Sequence, residues 1–433
     1  MFVKKNKETR TRTMKKIVLL SAVASTIIMA GGDITPMEHT EEKQLPKMEQ
    51  PYTFFNNVAA KGEIRTRYAS VNTDNTVGDA NALTNRLMLG VSADLFRIDG
   101  LSAYFEAMNV IGSGDYWDLS NSDIGDQGIF NVVADPNQTR ITQAYVDYTF
   151  GKTLLRAGRQ GVNLDNQRFV GTVNWRQMPQ TYDAVSLIDN SIENLSLLAS
   201  YIWQVNTIFD SDTVKPVGDS FDTSSVLLHA NYKVLDALSV TGYAYMLEDI
   251  HDTYGIAATG KFGLGQNMGL SYRAEYAIQS DPSFENTTTN KTADAEYYNI
   301  EATLNMSGFL LGAKYEVLGA GNDGNAAFST PLSTLHAHNG WADIFLGTPA
   351  DGLVDLNAMI GYKSKGFGVA KIIYHDFSSD TGSINYGTEI DAIYKNNISA
   401  VKGLSAMLKA AYYSADTYSV DTTKYWVMVD YKF

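Results

Sequence analysis

The sequence has no cysteine, and only nine of its 433 residues are proline. Without thiols there are no disulfides, thiolate metal sites or cysteine nucleophiles. Past residue 32 no unbroken apolar run approaches the ~18 to 20 residues that a membrane-crossing helix needs, so a helical membrane protein is excluded. Positive charge is scarce as well. Against 34 Lys+Arg stand 48 Asp+Glu, a net charge of −14, which lacks the basic footprint of a general nucleic-acid binder. What is plentiful is tyrosine (26) and glycine (35). Aromatics favour strands and proline interrupts their ladders, so the bias is toward a β-rich fold.

The N-terminus has the layout of an export signal. Lys15 and Lys16 form a charged start, Ile17 to Ala30 an apolar stretch, and Ala30-Gly31-Gly32 a small-residue cleavage pattern. Residues 1–32 are expected to be a signal peptide, with Met14 an alternative start. Residues 33–57, with three prolines, are expected to be a periplasmic linker, and 58–433 a single barrel domain. The leader carries seven Lys+Arg and one Glu, so its removal takes the net charge from −14 to −20.

From about Ala59 the dominant signal is alternation with a period of two, which marks strands with two unlike faces. In the last one, Tyr425, Val427, Val429, Tyr431 and Phe433 lie on one face and Trp426, Met428, Asp430 and Lys432 on the other. In another, Ile384, Tyr386, Thr388, Ile390, Ala392 and Tyr394 share an apolar face. Eighteen such runs can be counted. After even-numbered runs the links are mostly short, such as Gly151-Lys152 and Ser307-Gly308; after odd-numbered runs they are mostly long, such as 111–139, 163–180 and 318–352. A transmembrane β-barrel alternates in this way, with tight periplasmic turns at one rim and long extracellular loops at the other. All nine prolines fall outside the runs, as a closed ladder requires. A soluble sandwich or propeller is the weaker reading, since the leader is present and repeats of propeller length are not. The fold expected is an all-β, antiparallel, 18-stranded transmembrane barrel, with apolar alternates facing lipid and polar alternates lining the lumen.

Two blocks carry a family resemblance. The first is Gly158-Arg159-Gln160, Asp165-Asn166-Gln167-Arg168-Phe169-Val170-Gly171, Asn174-Trp175-Arg176-Gln177 and Tyr182-Asp183-Ala184. The second is Thr330 to His336, Asn339-Gly340-Trp341-Ala342-Asp343, Phe345-Leu346, Thr348-Pro349 and Tyr374-His375-Asp376-Phe377. Both resemble the alginate export family of bacterial outer-membrane porins. The resemblance implies an outer-membrane barrel with lipid and lipopolysaccharide around it, and a terminal Phe433 that hands the chain to the barrel assembly machinery. It does not carry a substrate, because many porins of that family export no alginate.

Arginine is unevenly placed: of ten beyond the leader, nine fall between Arg65 and Arg176. Alternation points Arg65, Arg67, Arg86 and Arg156 inward, while Arg159, Arg168 and Arg176 belong to the family-like block and Arg273 sits on a later strand. Guanidinium forks bind carboxylates and phosphates, so these residues are candidates for an anion pathway. The competing expectation is that they pair across the wall with Glu63, Asp94, Glu106 and Asp147 and stiffen it. Asn166, Gln167 and Trp175 on one long link, and His336, Trp341 and Asp343 on another, are candidates for constriction loops, because a barrel this wide is open unless loops fold inward. The His336-Ala337-His338 spacing is weak as a metal motif, and histidines hydrogen-bonded within the loop are expected instead; no cofactor or metal is called for.

The function expected is passive diffusion of small hydrophilic solutes, including anionic, carboxylated ones. The alternative is export of an acidic polysaccharide such as alginate. An enzyme is the third class considered, but the histidines form no recognisable nucleophile-base set beyond the adjacent His375-Asp376.

Overall fold

The computed structural model describes residues 54–213, 218–283, 294–322 and 326–433, with the backbone alone for 122–124. The expected leader and nearly all of the expected linker lie outside the described residues. Eighteen strands follow one another: β1 (Phe55–Thr73), β2 (Ala80–Leu95), β3 (Leu101–Asp115), β4 (Gln138–Phe150), β5 (Thr153–Gln160), β6 (Thr181–Asp189), β7 (Leu195–Asn206), β8 (Ser220–Leu235), β9 (Leu238–Leu247), β10 (His251–Gly265), β11 (Met268–Ser280), β12 (Ala295–Met306), β13 (Phe309–Leu318), β14 (Leu353–Ser364), β15 (Gly368–Ser378), β16 (Asn385–Asn397), β17 (Leu404–Ala415) and β18 (Thr422–Lys432). Each corresponds to one expected run. β1 starts at Phe55, slightly ahead of the expected domain start at residue 58.

Every strand pairs antiparallel with its sequence neighbours, and β1 also pairs with β18, from Glu63↔Lys432 to Thr73↔Thr422. The sheet is closed. Closure leaves no strand edge without a ladder partner, the condition for strands to cross a bilayer. The chain end completes the seam: the Gly62 N–H donates to the Phe433 carbonyl at 2.8 Å, and the Phe433 N–H to the Gly62 carbonyl at 3.0 Å.

The two faces separate as alternation requires. On β18, Tyr425 and Val427 are exposed while Trp426 and Met428 are buried. The described prolines, Pro136, Pro179, Pro282, Pro331 and Pro349, all lie outside strands. One assignment is corrected. Tyr386 was expected on the lipid face with Ile390 and Tyr394, but it is buried. The register between β15 and β16 jumps from Phe377↔Gly387 to Ser378↔Asn385, so Tyr386 is the extra residue of a β-bulge, and the extra residue turns the alternation over. Its hydroxyl then donates to the Gly352 carbonyl at 2.9 Å inside the barrel.

Two long connections, 161–180 between β5 and β6 and 319–352 between β13 and β14, hold much of the interior. Val170, Trp175, Phe328, Leu332 and Trp341 on them are all buried, so the lumen is packed by its own loops.

Candidate functional site

The two loops meet each other before they meet the wall. The Gly171 N–H donates to the Leu332 carbonyl at 2.8 Å and the Thr334 N–H to the Gln167 carbonyl at 3.0 Å. The Thr334 hydroxyl donates to Gln167 Oε1 at 2.7 Å. Gly171 is required here by distance: a Cβ would meet the Gln167 side chain at 2.9 Å and run into Thr334. Asn166 turns the chain by accepting the Arg168 N–H through its Oδ1 at 3.3 Å. The 161–180 and 319–352 loops are thus joined as one clasped unit.

The unit is anchored on the wall at two places. At the first, Arg168 and Glu316 of β13 form an ion pair at 3.0 Å. Asn339 ties them together, accepting from Arg168 at 3.0 Å and donating to Glu316 at 2.7 Å. Glu316 also receives the Tyr297 hydroxyl and Lys314, each at 2.7 Å. At the second, Trp175 stacks on His336 with ring centroids 4.3 Å apart and meets Trp426 of β18 edge-on at 5.6 Å. Lys409 of β17 lies over Trp341 at 3.8 Å and over Trp175 at 4.2 Å, a cation–π cage. Its ammonium donates to His336 Nε2 at 2.7 Å, so Nδ1 carries the ring proton and donates to Asp343 at 2.6 Å. Asp343 also faces Arg176 at 3.4 Å and Lys424 at 3.3 Å. Both nitrogens of His336 are thus occupied by protein groups.

These surroundings set the loop protonation states. Burial pushes the His336 imidazolium well below the usual 6.5, and Lys409 pushes the same way against the pull of Asp343. His338 is lowered by burial, with Arg168 and Lys314 adding to it. Burial works against the Asp343 carboxylate, yet the His336 contact, Lys424 and Arg176 hold it well below the usual carboxylate range. Asp165 is likewise lowered despite burial, by His229 and Arg273.

The inward arginines are paired. Arg65 bonds Asp430 at 2.7 Å, Arg86 reaches Glu63, and Arg67 reaches Asp135 on the β3–β4 connection. Arg156 holds Asp147 at 2.7 and 2.8 Å through a two-pronged contact. Arg273 holds Glu275 in the same way, at 2.8 Å through each prong. The wall-stiffening expectation describes these contacts better than a row of free guanidinium groups, although two of its partners differ. Glu106 accepts from Thr142 and Gln143 and faces Lys61 at 3.7 Å, and Asp94 accepts from Asn57.

Arg159 is a correction. It shares a face with Leu155 and Ala157, in register with Ala144 and Asp183, and bonds Asp183 at 2.7 and 3.0 Å on the outer side of the wall. It is the continued alternation of β5 that carries it outward; its place in the family-like block says nothing of direction.

The cations that sequence reasoning missed are lysines. Lys363 of β14 and Lys371 of β15 both point inward, near the short β14–β15 turn, and Gly361↔Lys371 pairing makes them diagonal neighbours. The charged neighbour of Lys371 is Lys363. Neither has a carboxylate partner among the described residues. The signal was present, since alternation places both lysines on the face that carries Asp355 and His375.

A closed barrel with an apolar exterior, a charged interior and loops folded into its lumen is an outer-membrane channel. The alginate export family matches residues 59–217, and the outer membrane porin family OprD matches residues 139–338. The chain is thus similar to both families over part of its length, and with its closed 18-stranded wall it is a channel of the bacterial outer membrane for diffusion of small solutes. No curated protein matches it. Among solved structures it is similar to Pseudomonas aeruginosa OccK5 (OpdH), with 13% identity, a TM-score of 0.66, and coverage of 88% of this chain and 99% of that one. Acinetobacter baumannii OccAB4 gives 16%, 0.70, 88% and 98%, and P. aeruginosa OpdQ 14%, 0.67, 87% and 99%. At such identities the likeness is one of fold.

Proposed function

We propose that this porin passes small hydrophilic solutes with a preference for anionic, carboxylated ones, and that the clasped loops set its bore. The observation that carries this reading is the inward Lys363–Lys371 pair near the β14–β15 turn, which has no carboxylate to neutralise it among the described residues. Charged rings and tracks bias which ion enters a pore, and paired arginines contribute less to that bias than unpaired lysines. Arg65, Arg67, Arg86 and Arg273 then act as wall braces, while Arg156, with its side chain 19% exposed, faces the water beside Asp147. Export of an acidic polysaccharide is not favoured, because buried loop side chains occupy the lumen that a polymer would need.

The test is the reversal potential of the full chain in planar bilayers under a salt gradient. Anion selectivity is expected, shifted toward cations by Lys363→Glu and by Lys371→Glu. A wild-type channel selective for cations would overturn the reading.

A further inference from the structure

We propose that the contact between Lys409 and His336 is an acid-released latch: protonation of His336 Nε2 breaks it, frees the clasped loops from β17 and β18, and widens the channel.

The argument is one of proton counting. At 2.7 Å, a lysine ammonium and an imidazole nitrogen share a single hydrogen bond, and the ammonium has no lone pair to accept with. Nε2 must therefore be bare while the latch is closed. A second proton on the ring puts imidazolium against ammonium inside a cage of Trp175, Trp341 and Trp426, where like charges repel strongly. The latch is also where both loops are fixed at once. Trp175 belongs to the 161–180 loop, His336 and Trp341 to the 319–352 loop, and Lys409 and Trp426 to the wall, so one lost contact loosens both loops at this anchor while the Arg168–Glu316 anchor stays.

The charged groups around His336 come from every side. Asp343 is on its own loop, Arg176 on the facing loop, and Lys424 on β18 beside Lys409. Arg67 of β1 stands over the Trp175 ring at 5.1 Å. On β16, Asp391 accepts the Trp341 N–H at 3.2 Å and Glu389 the Ala342 N–H at 2.7 Å. Asp343 stabilises a protonated ring; the cations and burial oppose it. The ring's shift to well below 6.5 sets the sign: the latch is closed around neutral pH and lost as pH falls through that lowered value.

The experiment is single-channel conductance of the full chain in planar bilayers, stepped from about pH 7.5 to about pH 4. Unitary conductance or open probability is expected to rise about twofold or more on acidification. His336→Gln stays neutral, and its rise is expected to vanish; Lys409→Met removes the donor and is expected to be open at both ends of the range. Heat-modifiable mobility checks that each variant is a folded barrel. A wild-type channel whose conductance is flat across the range overturns the latch, and this holds even if a variant fails to fold. A His336→Gln channel that responds to acid as the wild type does also overturns it, since the response then comes from a carboxylate. Ion selectivity is read separately, so loss of the latch leaves the anion preference standing.

Discussion

Arg168 and Glu316 meet 3.0 Å apart with both side chains 1% exposed, one on the 161–180 loop and the other on the wall strand β13. Removing one partner of such a pair leaves a buried charge uncompensated, which costs about 3–5 kcal/mol, whereas replacing both by apolar groups is often neutral. Arg168→Ala is expected to release the loop and raise channel noise. Arg168→Met with Glu316→Leu is expected to restore quiet openings, although Lys314 then loses its own partner and limits the recovery. Equal noise in the single and double variants would show that the pair does not hold the loop.

Gly171 offers a variant that acts by size alone. Its Cα lies so close to Gln167 and Thr334 that a Cβ has no room, and the hydrogen bonds from Gly171 to Leu332 and between Thr334 and Gln167 depend on that approach. Gly171→Val is expected to part the loops while leaving the wall intact. The measurement is a pair of readouts: unchanged heat-modifiable mobility of the barrel, and more frequent conductance substates. A variant with the wild-type record would mean that the loops are held by their wall anchors and not by each other.

Trp175 packs between His336, Trp426, Arg67 and Lys409 and is 3% exposed. Truncating a buried aromatic costs about 3–5 kcal/mol in lost burial and cavity formation. Trp175→Ala is therefore expected to loosen the clasp more than Trp175→Phe, which keeps a ring against His336. Hydrogen exchange of the 161–180 backbone in detergent micelles measures the difference, and equal protection in both variants would count against the packing role.

How much of this was readable beforehand divides along physical lines. The strands were legible because lipid and lumen impose opposite polarities on alternate residues, a local signal repeated eighteen times. Tyr386 was misplaced because a bulge depends on how two strands pair, and no property of residues 384–394 alone records it. Arg65 and Asp430 are 365 positions apart and meet only because the barrel closes, so the neutralisation of the arginines was not legible beyond the general expectation of wall pairing. The candidate loop residues Asn166, Gln167, Trp175, His336, Trp341 and Asp343 do come together, yet that Lys409 joins them follows from the register of β17 and no motif announces it. Lys363 and Lys371 lie outside the arginine-rich stretch from Arg65 to Arg176, and only their alternation marks them as inward.

The ring and the backbone of Phe433 have separable parts in the wall. Phe433 closes the β1–β18 seam through two backbone hydrogen bonds to Gly62, and its ring covers the face of Gly62 so closely that a Cβ there would enter it. Phe433→Ala keeps both backbone bonds and removes only the ring; deletion of the residue removes the bonds as well. If the ring serves recognition during assembly, both variants lower the fraction of barrel recovered in the outer membrane, and both refold equally well into detergent micelles. If it serves only the seam, Phe433→Ala assembles close to normally and the deletion refolds poorly in detergent. Comparing heat-modifiable barrel in membranes with that in refolded protein separates the two roles. The expected result is an assembly defect in both variants, because one exposed ring at the rim, 58% accessible, adds little to the stability of a seam already held from Glu63 to Thr73.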